Sequence, residues 1–175
     1  MKDVVCGHLG ALGELYDRYA RDVWRAVRRS LPDATDVDDV VHATFLTLPR
    51  IAASYDGRSN CRNWLCGIAV NLALRQRRGH RRFQRMLDAF GQTVSGRSTR
   101  DPERRASGNE ELAVLERAIV ALSDKKRAVF VLVEIEGLSA EEVGRSLEVP
   151  AATVRTRLFH ARRELKAALE REGLK

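Results

Sequence analysis

Apolar residues recur every three or four positions along most of this chain, and that spacing limits its fold more than any other feature. Such a repeat places the apolar side chains on one face of an α-helix. Alternation with a period of two, which would predict a β-strand, is not sustained anywhere. The sequence therefore predicts an all-α protein in which each helix buries one face.

The helical pattern falls into two blocks with a polar segment between them. Leu31-Pro32 ends the first helix, because proline disfavours the helical conformation in the residue before it. Residues 91–109 are rich in Gly, Ser, Thr and charged side chains, which is the composition of a linker. We therefore expect two helical lobes, at 9–90 and 110–172, joined by a flexible linker and moving independently of each other.

Composition excludes several classes of protein. No apolar run approaches the roughly 20 residues that a membrane-spanning helix needs, and the first residues lack the architecture of a signal peptide. The three cysteines form no C-x-x-C pair, which argues against a disulfide framework and against a zinc finger. A site built from Cys61, Cys66 and His80 is disfavoured, because a spacing of five points the two cysteines to different sides of a helix. The expectation is a cytoplasmic protein without a metal or other cofactor and without membrane contact.

Positive charge is concentrated in the middle of the chain. The net charge is +7, and residues 50–108 hold 13 arginines against four acidic residues. A cluster of arginine this one-sided predicts contact with a polyanion. The alternative is that these arginines only keep the surface soluble.

The segment from Leu138 to Leu165 has the pattern of a helix-turn-helix. Ser139-Ala-Glu-Glu142 predicts a capping box at the start of its first helix. The second helix, with Val154 inward, would lie in the DNA major groove, where arginine can donate twice to guanine and an apolar side chain can meet a thymine methyl. Its outward residues, the candidate readers of DNA, are Thr153, Arg155, Thr156, Arg157, Phe159 and His160. The alternative is a solvated helix hairpin in a plain bundle.

Catalysis is the least favoured function. The four histidines are scattered, no set of nucleophile, base and acid is apparent, and no Gly-rich phosphate loop is present. A helix-turn-helix alone is compatible with repressors, activators, recombinases and initiation factors. Only motifs in the first helical block can distinguish between these classes.

Motifs in both blocks resemble those of one bacterial family. Asp39-Val-Val-His-Ala-Thr-Phe45, Tyr55-Asp-Gly-Arg-Ser59 and Asn63-Trp-Leu-Cys-Gly-Ile-Ala-Val-Asn71 are similar to the second conserved region of sigma factors. Glu136-Gly-Leu-Ser-Ala-Glu-Glu-Val143 and Val149-Pro-Ala-Ala-Thr-Val-Arg-Thr-Arg157 resemble their fourth region. Their order and spacing, from about residue 9 to residue 170, match the small extracytoplasmic-function group of the sigma-70 family.

The resemblance implies a role for each lobe. The N-terminal lobe would bind the clamp helices of the β′ subunit of core RNA polymerase and help to melt the minus-ten promoter element. The C-terminal lobe would sit on the β flap and read the minus-thirty-five element. An anti-sigma factor would hold the protein inactive. The alternative function is a helix-turn-helix regulator that works without polymerase, such as a dimeric repressor.

The resemblance implies that the start of the second helix is the polymerase-binding surface. In this chain that surface carries Asp36, Asp38, Asp39 and His42. Its acidic groups can meet basic groups on the polymerase. The aspartates have a structural alternative, because acids at a helix start also stabilise the helix dipole. His42 and Ala43 stand where the family usually has a Gln-Glu pair, so the polar contacts of that pair are not carried over.

A loop and one helical residue are the implied minus-ten site. Capture of a flipped base needs stacking and base-edge hydrogen bonds, which an aromatic ring and short polar side chains supply. The candidate residues are Tyr55, Asp56, Gly57, Arg58, Ser59, Asn60 and Asn71. The alternative makes Tyr55 a core residue and Asn71 a surface amide. The arginines of 75–85 suit the phosphate backbone between the two promoter elements.

Overall fold

A computed structural model describes residues 9–34, 36–55, 57, 60–89 and 110–173. Seven α-helices and no β-strand occupy these residues, which confirms the prediction of an all-α protein. The helices are α1 Leu9–Ser30, α2 Val37–Ile51, α3 Cys61–Ala89, α4 Glu110–Ala121, α5 Asp124–Phe130, α6 Ala140–Leu147 and α7 Ala151–Arg171. The predicted linker, 91–109, lies outside the described residues.

The N-terminal lobe consists of α1, α2 and α3 around a shared apolar core. Val27, Phe45 and Leu65 are among its buried side chains, one from each helix. Burial of a side chain of this size contributes about 1.5–3 kcal/mol. Helix α1 ends at Ser30, directly before Leu31-Pro32, as the proline predicts. Helix α3 runs for 29 residues, so Asn71 and the arginines of 75–85 lie on one continuous helix.

The C-terminal lobe consists of α4 to α7. Helix α5 continues into a π-helical turn, Val131–Ile135, which the sequence pattern does not predict. Gly137, with a positive φ of 76°, then turns the chain towards α6. A small apolar cluster joins α4 to α7 through Ala118, Leu122, Ala161 and Leu165.

The two lobes pack against each other in this structure, and their independent movement stays a prediction. One cluster of buried side chains includes Leu65 and Val70 of α3 together with Leu132, Val143 and Leu147 of the C-terminal lobe. Helices α3 and α6 come close where Gly67 has no side chain, since a Cβ added there would lie 2.6 Å from the Cβ of Ser146. Linker composition could not predict this contact, because it says nothing about the surfaces of the two lobes.

In the described part of the chain, no helix is both long enough and apolar enough to cross a membrane.

Candidate nucleic-acid interface

The helix-turn-helix is formed by α6, a short turn and α7. The Ser139 hydroxyl accepts a hydrogen bond from the backbone N–H of Glu142 at 3.2 Å. The Glu142 carboxylate in turn accepts from the backbone N–H of Ser139 at 2.7 Å, so the predicted capping box is confirmed. Glu148 ends α6 in the left-handed conformation, with φ 55°. These local contacts set the direction in which α7 leaves the turn.

Gly144 allows the turn to fold back onto α6. A Cβ at this position would lie 2.9 Å from the carbonyl oxygen of Val149 and 3.3 Å from the amide nitrogen of Ala151. Both neighbours are backbone atoms that cannot rotate away. The sequence analysis did not single out Gly144, although a glycine inside a helix that is otherwise well capped was a signal that it has a packing role.

Helix α7 carries all six candidate readers, and they differ in exposure. Val154, Ala161 and Leu165 are buried, as predicted. Arg155, Thr156 and Phe159 are exposed, whereas Thr153, Arg157 and His160 are half-buried. The structure therefore brings all six together on one helix.

Two of these candidate readers, Arg155 and Phe159, have notable surroundings. The guanidinium of Arg155 donates to the Glu141 carboxylate of α6, and both side chains are exposed. Phe159 is 61% exposed, which is unusual for a ring of its size. An exposed aromatic ring beside polar donors is suited to a thymine methyl group.

Asn71 of α3 faces the C-terminal lobe. It is half-buried and lines a groove of about 440 Å³ together with Arg145 and Ser146 of α6. It also lines a second groove, of about 280 Å³, which contains Arg157 of α7. A candidate minus-ten residue and a candidate minus-thirty-five residue therefore lie on the same groove.

The arginines of α3 meet carboxylates of the C-terminal lobe. Arg75 pairs with Glu148, and a guanidinium nitrogen of Arg77 lies 3.3 Å from a carboxylate oxygen of Asp124. Arg81 lies 3.1 Å from the same carboxylate. These pairs occupy part of the surface that the sequence predicts to bind phosphate.

Only part of the candidate minus-ten loop can be described. The Tyr55 ring lies 5.2 Å from the Trp64 ring, between centroids, at an angle of 56°. The Asn60 side chain accepts from the backbone N–H of Arg62 at 2.9 Å, at the start of α3. Gly57 has a φ of 73°, in the left-handed region. Asp56, Arg58 and Ser59 lie outside the described residues.

The candidate polymerase-binding residues lie at the start and on the outer face of α2. Asp36 is the N-cap residue, and Asp38 and Asp39 are exposed in the first turn. Acidic groups at this position stabilise the helix dipole and are also available to a basic partner, so the structure is compatible with both interpretations of the aspartates. His42 accepts or donates a hydrogen bond at 3.0 Å with the Tyr16 hydroxyl, and the two rings are stacked with centroids 5.8 Å apart.

Leu46 extends this surface, and the sequence analysis did not select it. It follows His42 by one helical turn and is 72% exposed. A single exposed leucine is common on protein surfaces, so Leu46 is of interest here for its position on the same helix as the acidic residues. The sequence did hold a signal for Leu46, because it is an apolar residue that does not belong to the buried stripe of α2.

In the described part of the chain, Cys66 is buried and Cys61 is half-buried. Burial raises the pKa of the Cys66 thiol to about 12 and raises the pKa of half-buried Cys61 as well. Among the described residues, no three His, Cys, Asp or Glu side chains form a group that could hold a metal ion.

Two family models match the chain, one for each lobe. Sigma-70 region 2 matches residues 15–83, and Sigma-70 region 4 matches residues 112–165. The ECF RNA polymerase sigma-E factor of Escherichia coli K12 is 32% identical over 163 residues, which cover 89% of this chain and 85% of that protein. The chain belongs to the extracytoplasmic-function sigma factors. It is a transcription initiation factor and not an enzyme.

Further relatives agree with this membership. The RNA polymerase sigma factor NccH of Alcaligenes xylosoxydans is 29% identical over 163 residues, covering 91% of this sigma factor and 87% of that one. The Bartonella quintana sigma factor RpoE, solved in complex with the anti-sigma factor NepR, shares the fold with a TM-score of 0.63 at 21% identity, covering 89% and 96% of the two chains. CnrH, solved with the cytosolic domain of CnrY, has a TM-score of 0.61 at 27% identity, covering 97% and 94%.

The two family models and the sequence relatives confirm the family and the function class that the motifs indicate. This sigma factor directs core RNA polymerase to promoters, and nothing in the comparisons favours a regulator that works without polymerase. The roles of individual side chains at the two promoter elements and on the polymerase stay predictions.

Proposed function

We propose that this sigma factor divides promoter recognition between its lobes. The C-terminal lobe, 110–172, binds the β flap and reads the minus-thirty-five element. The N-terminal lobe, 9–90, binds the β′ clamp helices and the minus-ten element. The observation that carries the proposal is α7, which buries Val154 and Ala161 and exposes Arg155, while Arg157 is half-buried beside them.

In this proposal the outer face of α2 is the contact with the β′ clamp helices. Asp38 and Asp39 offer negative charge, and Leu46, two turns further on, offers apolar surface. His42 lies between them and is positioned by Tyr16. A charged rim beside an apolar centre is the usual arrangement of a protein interface. A second consequence is that the protein acts in the cytoplasm, where polymerase and DNA are found.

We propose that melting uses the loop around Tyr55 together with Asn71. Ser54, Trp64 and Asn71 line the same groove, so the end of the loop and the helical amide lie on one surface. Trp64 packs against Tyr55, which supports Tyr55 as one wall of a base pocket. A flipped base is held by such stacking and by hydrogen bonds to its edge.

An anti-sigma factor is the proposed regulator. Bartonella quintana RpoE is solved with an anti-sigma factor, and CnrH with the cytosolic domain of CnrY. We expect a partner of this kind to cover the face of α2 that binds polymerase. Core polymerase and the anti-sigma factor would then exclude each other.

Competition tests the shared surface. A pull-down of core polymerase by the tagged sigma factor is expected to fall as the candidate anti-sigma factor is added. Run-off transcription from a cognate promoter is expected to fall in parallel. A stable ternary complex of the three proteins would contradict a shared surface. Failure of the sigma factor to support run-off transcription with core polymerase would contradict the proposed function itself.

Replacing Arg155 with alanine is expected to weaken promoter recognition by about 1–3 kcal/mol, the usual contribution of an arginine contact to a base. The fold should remain intact, because Arg155 is exposed and its pair with Glu141 lies at the surface, where ion pairs contribute little. The measurement is run-off transcription from a promoter that depends on its minus-thirty-five element. Arg171→Ala, at the far end of α7, is the control. Equal transcription by both variants would show that Arg155 does not contact the promoter.

Replacing Asn71 with alanine is expected to reduce open-complex formation about 3- to 10-fold, which corresponds to the loss of one hydrogen bond to the melted strand. Polymerase binding should not change, because Asn71 is on α3 and not on the outer face of α2. Permanganate reactivity of promoter thymines measures the effect. Gln76→Ala, an exposed amide on the same helix, is the control. Normal reactivity in Asn71→Ala would remove this residue from the melting site.

A further inference from the structure

A small groove lined by α3, α5 and α7 carries an excess of positive charge. Its volume is about 280 Å³. Five cationic side chains line it, and the only carboxylate beside them in the lining is that of Asp124. The five are Arg77, Arg78, Arg81, Lys125 and Arg157. So many cations around one concave surface favour a ligand with several negative charges.

The Asp124 carboxylate cannot neutralise these cations, because it is shared. It lies 3.3 Å from a guanidinium nitrogen of Arg77, 3.1 Å from one of Arg81 and 2.8 Å from one of Arg127. Burial lowers the pKa of Arg127, and repulsion from Arg77 and Arg81 lowers it further. An additional anion would relieve the mutual repulsion of these guanidinium groups.

The other three cations of the groove have no carboxylate partner. Arg78 and Lys125 are exposed and Arg157 is half-buried, and within the described residues none of the three forms an ion pair. The exposed guanidinium of Arg155 on α7, by contrast, pairs with Glu141. Cations that lack an internal partner are available to a ligand that brings its own negative charge.

Arg77 contributes a buried donor on the wall of the groove. Its Nη1 atom is buried and lies 3.3 Å from Asp124, yet it donates no hydrogen bond to any residue that the structure describes. Buried donors are nearly always satisfied, because an unmade hydrogen bond of a charged group is costly. A donor in this position favours a ligand that offers an oxygen acceptor.

The size of the groove selects a small anion. Its volume corresponds to a cube with an edge of about 6.5 Å, whereas the major groove of a DNA duplex is itself about 12 Å wide, so a duplex cannot enter. Guanidinium groups pair well with phosphate oxygens, and a chain of phosphates presents several such oxygens to several cations at once. Leu74 and Val149 add apolar surface that suits the base of a nucleotide.

We propose that this groove binds a small polyphosphate, a chain of two or three phosphates that is either free or part of a nucleotide. Arg78, Lys125 and Arg157 contact its charged oxygens, and Nη1 of Arg77 donates to it. The bound anion joins α3 to α5 and α7. The inference goes beyond promoter recognition, and its tests involve neither polymerase nor a promoter, so its failure would leave the proposed function untouched.

Isothermal titration calorimetry of the full chain with sodium tripolyphosphate tests the site. The buffer contains no divalent cations, because Mg²⁺ binds phosphates itself. We expect saturable binding of one tripolyphosphate per chain and much weaker binding of inorganic monophosphate. ATP distinguishes the two sources, since tighter binding of ATP would identify a nucleotide and equal or weaker binding the free polyphosphate. Absence of saturable binding by both tripolyphosphate and ATP would overturn the proposal.

Lys125→Ala tests whether the anion binds in the groove. Losing one charge-assisted contact to a phosphate oxygen should weaken tripolyphosphate binding about tenfold. The matched control is Lys126→Ala, which removes the same charge one residue further along α5, where the side chain pairs with Glu164 and does not line the groove. Equal affinity of the two variants would mean that only the overall charge attracts the anion, and would overturn the groove as its site.

Arg78→Ala provides a second variant, on α3. Because Arg78 is exposed, the fold should remain intact, as circular dichroism can check, and tripolyphosphate binding should again weaken about tenfold. Binding of a 30-base-pair duplex separates the anion site from a DNA contact, and Lys125→Ala should bind that duplex as the wild type does. Weaker duplex binding by Lys125→Ala with unchanged tripolyphosphate binding would make the groove a DNA contact and overturn the proposal.

Discussion

Replacing Arg127 with methionine is expected to lower the free energy of unfolding by about 3–5 kcal/mol, as the removal of one partner from a buried charged network does. Arg127 is only 2% exposed. Its guanidinium donates to the carbonyl oxygens of Ser30 at 2.8 Å, Val120 at 2.5 Å and Leu122 at 3.2 Å. It also donates to the Asp124 carboxylate at 2.8 Å.

The loss is large because Ser30 and Leu122 stay buried when the guanidinium is removed. Methionine has a similar length and no donor, so the backbone carbonyls lose their hydrogen bonds and Asp124 loses one of its cationic partners. Burial lowers the pKa of Arg127, and Asp124 opposes that shift. An arginine still keeps its charge at neutral pH, so the network is ionic under ordinary conditions.

Urea unfolding followed by circular dichroism measures the effect of Arg127→Met. Lys166→Ala is the matched control, because Lys166 is also a cation in an ion pair but its side chain is 78% exposed. The control should change stability by less than about 0.5 kcal/mol. Equal stability of the two variants would show that the buried contacts of Arg127 add nothing to the stability of the fold.

Replacing Gly144 with alanine is expected to destabilise the helix-turn-helix by about 1–3 kcal/mol, the usual result of forcing an atom into a packed site. The new Cβ meets the carbonyl oxygen of Val149, and the turn between α6 and α7 has to shift to make room. Because that turn sets the direction of α7, transcription that depends on the minus-thirty-five element should fall even where the protein remains folded.

Thermal unfolding and run-off transcription measure the two effects of Gly144→Ala. The matched control is Gly79→Ala, an exposed position in the middle of α3 where a Cβ meets nothing within 4 Å. Alanine there should stabilise the protein by up to about 1 kcal/mol through helix propensity. If both alanine variants gained stability, the close approach of the turn to α6 would not be a constraint on this fold.

Much of the candidate site could be predicted because the interactions that form it join residues close together in the sequence. The capping box joins residues three positions apart, and the inward stripe of α7 repeats every three or four residues, so both are visible along the chain. The order of the motifs was enough to indicate the family, which the two family models confirm. Leu46 and Gly144 were missed, because their importance depends on what does or does not lie beside them in space.

The sequence by itself determined the helices, the helix-turn-helix and the family, since each follows from side chains a few residues apart. Only the tertiary structure decided how the lobes meet. The contact between Arg127 and Ser30 joins residues 97 positions apart, and the contact between Arg62 and Glu136 joins residues 74 apart. Neither pairing leaves a periodic signal, because an arginine on a helix surface has the same local pattern whether it faces water, DNA or a carboxylate of the other lobe. The physical reason is that these charges are paired by the shape of two packed lobes, in which Gly67 leaves room for α6, and not by their spacing along the chain.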